Sequence, residues 1–167
     1  KIASTGSGGN NNRYPIFSQM SAGGNSFYFN LVKGGANFSA IGFTHVAGYS
    51  NSSGEHTLQE DPMDGGWHHY ACCWDADNNK SYVFYDGVLK GTSQASQGLS
   101  ITGGKIMINR SAYTSVDDQF GDGLYDDIRV SNYVRYTSDF SPPGELGTSR
   151  QALVRNYTED SNDADLS

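Results

Sequence analysis

The sequence predicts an all-β protein, a two-sheet antiparallel sandwich, on three observations. Glycine is abundant, 21 of 167 residues, and tyrosine and phenylalanine are frequent at 11 and 8. Apolar residues recur at every second position in runs of strand length and rarely at helical spacing, so no helix of three turns is expected. Polar, glycine-bearing turn sequences separate those runs. A chain of this length supports one substantial core and is short for two. It divides into a linker or loop over residues 1–13, one domain over 14–143, and an acidic tail or truncated start of a further segment over 144–167.

In chain order, residues 1–12 end in a Gly/Ser/Asn tract that buries too little surface to offset its ordering entropy, and read as a linker or long loop. Tyr14 to Gln19 and Ser26 to Val32 form a hairpin, the second strand placing Phe27, Phe29 and Leu31 on one face. Asn37 to His45 is the next strand. Tyr49 to Gly66, polar and carrying Pro62, is expected to be a long surface connection. Trp67 to Asp75, Ser81 to Tyr85 and Val88 to Lys90 form a three-stranded meander. Asp77 to Lys80 supplies its first reversal, and Asp86-Gly87, a pair suited to positive φ, the second. Trp67 to Asp75 carries bulk on both faces and is therefore expected to be a central strand covered on both sides. Thr92 to Ser100 reads as a polar connection, Lys105 to Asn109 as a short strand, and Arg110 to Gly123 as a second long loop. Period-two placement assigns Phe29, Tyr70, Trp74, Phe84, Ile106, Ile108 and Ile128 to the core.

Several of these residues, in this order, carry a resemblance. Trp67-x-His69-Tyr70-Ala71, then Trp74-Asp75, a polar turn and Tyr82 to Gly87 resemble the laminin G-like and pentraxin-like jelly rolls of the concanavalin A-like lectin/glucanase superfamily. Phe120 to Val130 resembles the strand that closes such domains. Arg135-Tyr136 to Phe140-Ser-Pro-Pro143 resembles the ending seen in bacteriophage structural proteins that carry them. The likeness spans about Ile16 to Pro143 and implies a jelly-roll sandwich. Pentraxins place a disulfide-forming cysteine where this chain has Ala71, so that bridge is absent. The likeness begins after the family's first strand or strands and the chain opens at Lys1, so a piece of a longer polypeptide or larger assembly is expected.

Charge and chemistry narrow the function. A net charge of −7 opposes nucleic acids and anionic membranes, and no apolar run approaches the ~18 residues of a membrane span. His68, His69, Cys72 and Cys73 do not make a metal site, because strand residues four apart are separated by about 13 Å and neighbours face opposite ways. The same divergence predicts that Cys72 and Cys73 are buried, reduced thiols. Glucanases of the resembled superfamily line up closely spaced glutamates on one strand. Here Glu55, Glu60, Glu145 and Glu159 lie on no convincing core strand, and adjacent Asp126 and Asp127 point apart, so no enzyme is expected.

The two long loops concentrate Tyr, Asp, Asn and Ser, types that recognise polar ligands, which makes Tyr49, Tyr113, Asp117 and Asp118 the ligand-binding candidates. Asp117, Asp118 and Asp122 are also the calcium candidates, since many members of the resembled superfamily carry calcium at the rim; turn formation is the plainer reading of the same residues. Arg129, Arg135 and Tyr136 are expected to fasten the segment after the closing strand onto the sandwich. The phage-like ending implies a virion adhesion or decoration module, tail or capsid-associated, contacting a glycan or a neighbouring virion protein at the virion surface. The alternative is a carbohydrate-binding module of a secreted or cell-surface protein, with a glycosidase third.

Overall fold

The computed structural model describes residues 2–4, 13–20, 26–34, 37–47, 50–59, 62, 64–94, 98, 103–109 and 122–143. They form β1 (Ile2–Ser4), β2 (Arg13–Met20), β3 (Ser26–Gly34), β4 (Asn37–Ala47), β5 (Ser50–Thr57), β6 (Tyr70–Asp75), β7 (Lys80–Tyr85), β8 (Val88–Gln94), β9 (Lys105–Ile108) and β10 (Asp122–Gly123). No helix occurs among the described residues. A five-stranded sheet runs β5-β4-β3-β2-β9, the meander is a second sheet β6-β7-β8, and β1 pairs with β10. Every pairing is antiparallel, as the jelly-roll expectation requires.

The register explains the core. Phe29 lies opposite Phe43, and Leu31 opposite Ile41, so one face of the large sheet is apolar. Val83 and Tyr85 present the facing side of β7, and with Tyr14 and Leu58 these residues close into one cluster. Burying each such side chain stabilises the fold by about 1.5–3 kcal/mol. The sheets approach closely where β8 crosses β5: a Cβ on Gly91 would stand 2.1 Å from His56 Nδ1, so only glycine fits.

The outer face of the meander is covered as well. Phe84 is fully buried, meeting the Tyr136 ring edge-on at 6.0 Å and the Phe140 ring at 5.3 Å. Tyr136 stacks on Phe140, ring centroids 3.5 Å apart. Phe140 N donates to Gly87 O at 2.9 Å, and Leu89 N donates to Asp139 Oδ1 at 2.8 Å. Asp86 and Gly87 both take positive φ, 49° and 78°, as their sequence predicts. A Cβ on Gly87 would lie 2.0 Å from Phe140 O, so the turn and the docked segment depend on each other.

Five expectations need correction. Residues 50–57, inside the expected surface connection Tyr49 to Gly66, are strand β5; polar side chains do not prevent an edge strand whose backbone pairs with β4 along its whole length. The central strand of the meander is β7, not β6. The bulk on β6's second face is covered instead by the docked segment, His69 meeting Phe140 edge-on at 5.5 Å. Ile106, Ile108 and Ile128 are 54%, 45% and 51% exposed, not core: β9 ends the large sheet, beyond the reach of the meander, which packs on β4 and β5, and Ile128 lies on a segment that pairs with neither sheet. Of the expected closing strand Phe120 to Val130, residues 120–121 lie outside the described residues, Asp122–Gly123 pairs with β1, and residues 124–130 continue without strand pairing. Cys72 and Cys73 are free thiols on opposite faces, but each is half-buried.

Smaller differences are matters of extent. β8 runs on to Gln94, and Ile2–Ser4, within the stretch read as linker or loop, forms β1. Tyr136 fastens the later segment as expected, whereas Arg135 turns into that segment, Nε donating to Ser131 Oγ at 2.5 Å and the guanidinium lying 4.9 Å from the Tyr133 ring centroid. Arg129 is exposed.

Candidate functional site

A cleft of about 1280 Å³ opens between the large sheet and β6, bounded on its other side by residues 124–136. Its floor is a row of aromatic rings that the pleat of neighbouring strands brings into line. Phe17 of β2 stacks with Phe27 of β3 at 5.5 Å, Phe27 with Phe43 of β4 at 5.9 Å, and Phe43 with Trp74 of β6 at 6.0 Å. Trp67 and Tyr133 line the cleft while remaining 55% and 60% exposed. Trp67 lies outside the strand because Gly65-Gly66 precede it, Gly65 at φ 87°, and the chain enters β6 only at Tyr70.

One lip is held by an imidazole between two carboxylates. His68 Nδ1 lies 2.8 Å from Asp86 Oδ2 and His68 Nε2 lies 2.9 Å from Asp64 Oδ1, with the ring stacked on Tyr85 at 5.0 Å. Asp86 Oδ1 also accepts from His69 N at 2.7 Å, and Asp64 Oδ1 from Gly66 N at 2.6 Å. Burial alone would lower the His68 pKa, but the hydrogen bonds and charges of Asp64 and Asp86 outweigh it and the net shift is upward. Asp64 is correspondingly lowered, chiefly by its hydrogen bond to His68. The arrangement ties the approach to Trp67 onto the Asp86-Gly87 turn.

On the far side, Tyr125 donates to Asn109 Oδ1 at 2.8 Å and fastens residues 124–130 to the end of β9; burial pushes its phenol up to about 12. Cys72 faces the core, where burial raises its thiol pKa and makes it a poor nucleophile. Asp75 is lowered by hydrogen bonds, first from the Asn78 amide, so it is a turn-forming anion and not a proton donor. Among the described residues no glutamate lines the cleft, and no group of three or more His, Cys, Asp or Glu could hold a metal ion.

Tyr49, Tyr113, Asp117 and Asp118 lie outside the described residues, and Asp122 is placed only as backbone in β10. Sequence reasoning missed Trp67 and Tyr133. The signal for Trp67 was the preceding Gly65-Gly66, which ends any strand; Tyr133 was hidden in a segment read only as a fastening.

The family described as Concanavalin A-like lectin/glucanases superfamily matches residues 4–139. The chain belongs to that superfamily. Among solved structures, this superfamily member is similar to Ruminococcus gnavus IT-sialidase CBM40, at 14% identity and a TM-score of 0.53, covering 73% of this chain and 68% of that one. It is similar also to Ruminococcus gnavus IT-sialidase CBM40 bound to alpha2,6 sialyllactose, at 15% identity and a TM-score of 0.53, covering 73% and 69%. At these identities the likeness is one of fold. No curated protein matches the sequence.

Proposed function

We propose that this domain is a non-catalytic carbohydrate-binding module, acting outside the cell, that holds a glycan in the cleft between its sheets. The observation that carries this reading is the pairing of an aromatic-lined cleft with two rings, Trp67 and Tyr133, left largely open to solvent. A sugar ring offers an apolar face for such rings to stack on, and its hydroxyls suit the carboxylates and amides along the same cleft. The two similar solved structures are CBM40 of a sialidase, one with alpha2,6 sialyllactose bound, which supports the same direction.

Catalysis would need two carboxylates facing one glycosidic bond, one of them kept protonated. Of the five aspartates that line the cleft, Asp86 is committed to His68 and His69, Asp75 to its own turn and Asp126 to the Asp127 backbone N–H, while Asp77 and Asp127 lie on separate segments, the turn after β6 and the one bordering the cleft; the reading therefore assigns no acid and nucleophile pair. The segment that resembles a phage protein ending packs on Phe84 and Gly87 and so has a structural role within the domain itself.

Calorimetric titration against a glycan panel, beside a hydrolysis assay, tests the reading. Trp67→Ala and Tyr133→Ala are each expected to weaken binding about tenfold with melting unchanged, since each removes an exposed stacking face worth about 0.5–1.5 kcal/mol and more where desolvated. Turnover abolished by changing an aspartate, or no binding to any glycan, would overturn it.

A further inference from the structure

We propose that the cleft selects uncharged glycans and disfavours acidic ones, an inference that rests on the glycan-binding reading above. Five carboxylates line the cleft, Asp75, Asp77, Asp86, Asp126 and Asp127, against two guanidiniums, Arg129 and Arg135. Arg135 lies over Tyr133 and donates to Ser131 Oγ, which fixes its guanidinium beside the segment and leaves the carboxylates in excess. His68, held between Asp64 and Asp86, offsets part of the charge of that pair, so the unbalanced negative charge of the cleft rests on Asp75, Asp77, Asp126 and Asp127. The net charge of −7 places the cleft within an acidic molecule.

A carboxylate accepts hydrogen bonds from sugar hydroxyls as readily as an amide does, but it repels a second carboxylate or a sulfate. Asp126 and Asp127 are the residues through which this acts most directly. Both are exposed on the segment that borders the cleft, and Asp127 holds a positive φ of 49°. Asparagine tolerates that backbone and keeps the hydrogen-bond acceptor that Asp126 offers to Asp127 N at 2.9 Å, so the double change removes the charge while retaining this contact. Asp64 and Asp86 do not allow so clean a change, because each holds His68.

The experiment uses matched neutral and acidic glycans, with lactose and alpha2,6-sialyllactose as one pair, titrated against wild type and Asp126→Asn/Asp127→Asn at about 0.02 M and about 0.5 M salt. The neutral member should bind about three- to tenfold more tightly at low salt, and both high salt and the double variant should narrow that ratio. Equal or tighter binding of the acidic member overturns the inference and leaves the glycan reading standing. A preference for the neutral member that neither salt nor the variant changes also overturns it, because the discrimination would then be steric. If neither member of any pair binds, the glycan reading falls and this inference with it.

Discussion

The two ends of the large sheet differ in what covers their inner face. Over β4 and β5 the meander lies directly on it, and Ile41 and Val83 lose all exposure. Over β2 and β9 the face opens into the cleft, and Ile106 and Ile108, placed by the same alternation, stay about half exposed. The alternation therefore tells which residues share a face; whether that face is core or binding surface depends on how far the second sheet reaches.

Substitutions at the two ends should separate accordingly. Phe84→Ala, at a fully buried site gripped by Tyr136 and Phe140, is expected to cost about 3–5 kcal/mol in urea unfolding. Gly87→Ala should follow at about 2–4 kcal/mol, since it combines positive φ with a clash against Phe140 O. Ile106→Ser at the open end should cost less than about 1 kcal/mol. A comparable loss at Ile106 would mean that the open end is in fact closed.

The lip of the cleft adds a subtler contrast, read through pH. His68 is raised in the folded state, so its stabilisation is fully present below its unfolded value and is lost as pH rises through the folded pKa. Asp64 is lowered, so its share is lost as pH falls through its folded pKa. Burial lowers His56 and His69, which act in the opposite sense to His68. The melting difference between wild type and His68→Gln isolates the lip: it should be largest below about pH 6.5, down to the carboxylate range, and shrink above it. A difference independent of pH would show that His68 serves only by stacking on Tyr85.

Much of the fold was legible because local chemistry and tertiary structure agree in it. The meander was readable from its two turns, and the Asp86-Gly87 reversal has the positive φ values its sequence demands. β5 was not readable, because its polar residues gain their order from pairing with β4 and carry almost no periodic signal of their own. The bulk on both faces of β6 does signal cover on both sides, yet the cover of the second face is a docked segment and not a place in the middle of the sheet. For the site, residue type points to loop residues that lie outside the described residues, and the described cleft was not legible because it is assembled from strand faces that converge only in three dimensions.

The central claim is that a glycan lies in the open cleft against Trp67. Acrylamide quenching of tryptophan fluorescence, with a glycan found by titration and with Trp67→Phe as the control, tests it most directly. Trp67 is largely exposed and Trp74 packs against the core, so free protein should be strongly quenched. Saturating glycan should protect wild type from quenching far more than it protects Trp67→Phe, whose remaining tryptophan, Trp74, is already half-buried in the floor of the cleft. Glycan binding that does not alter the accessibility of Trp67 would contradict the account and place the ligand elsewhere on the molecule.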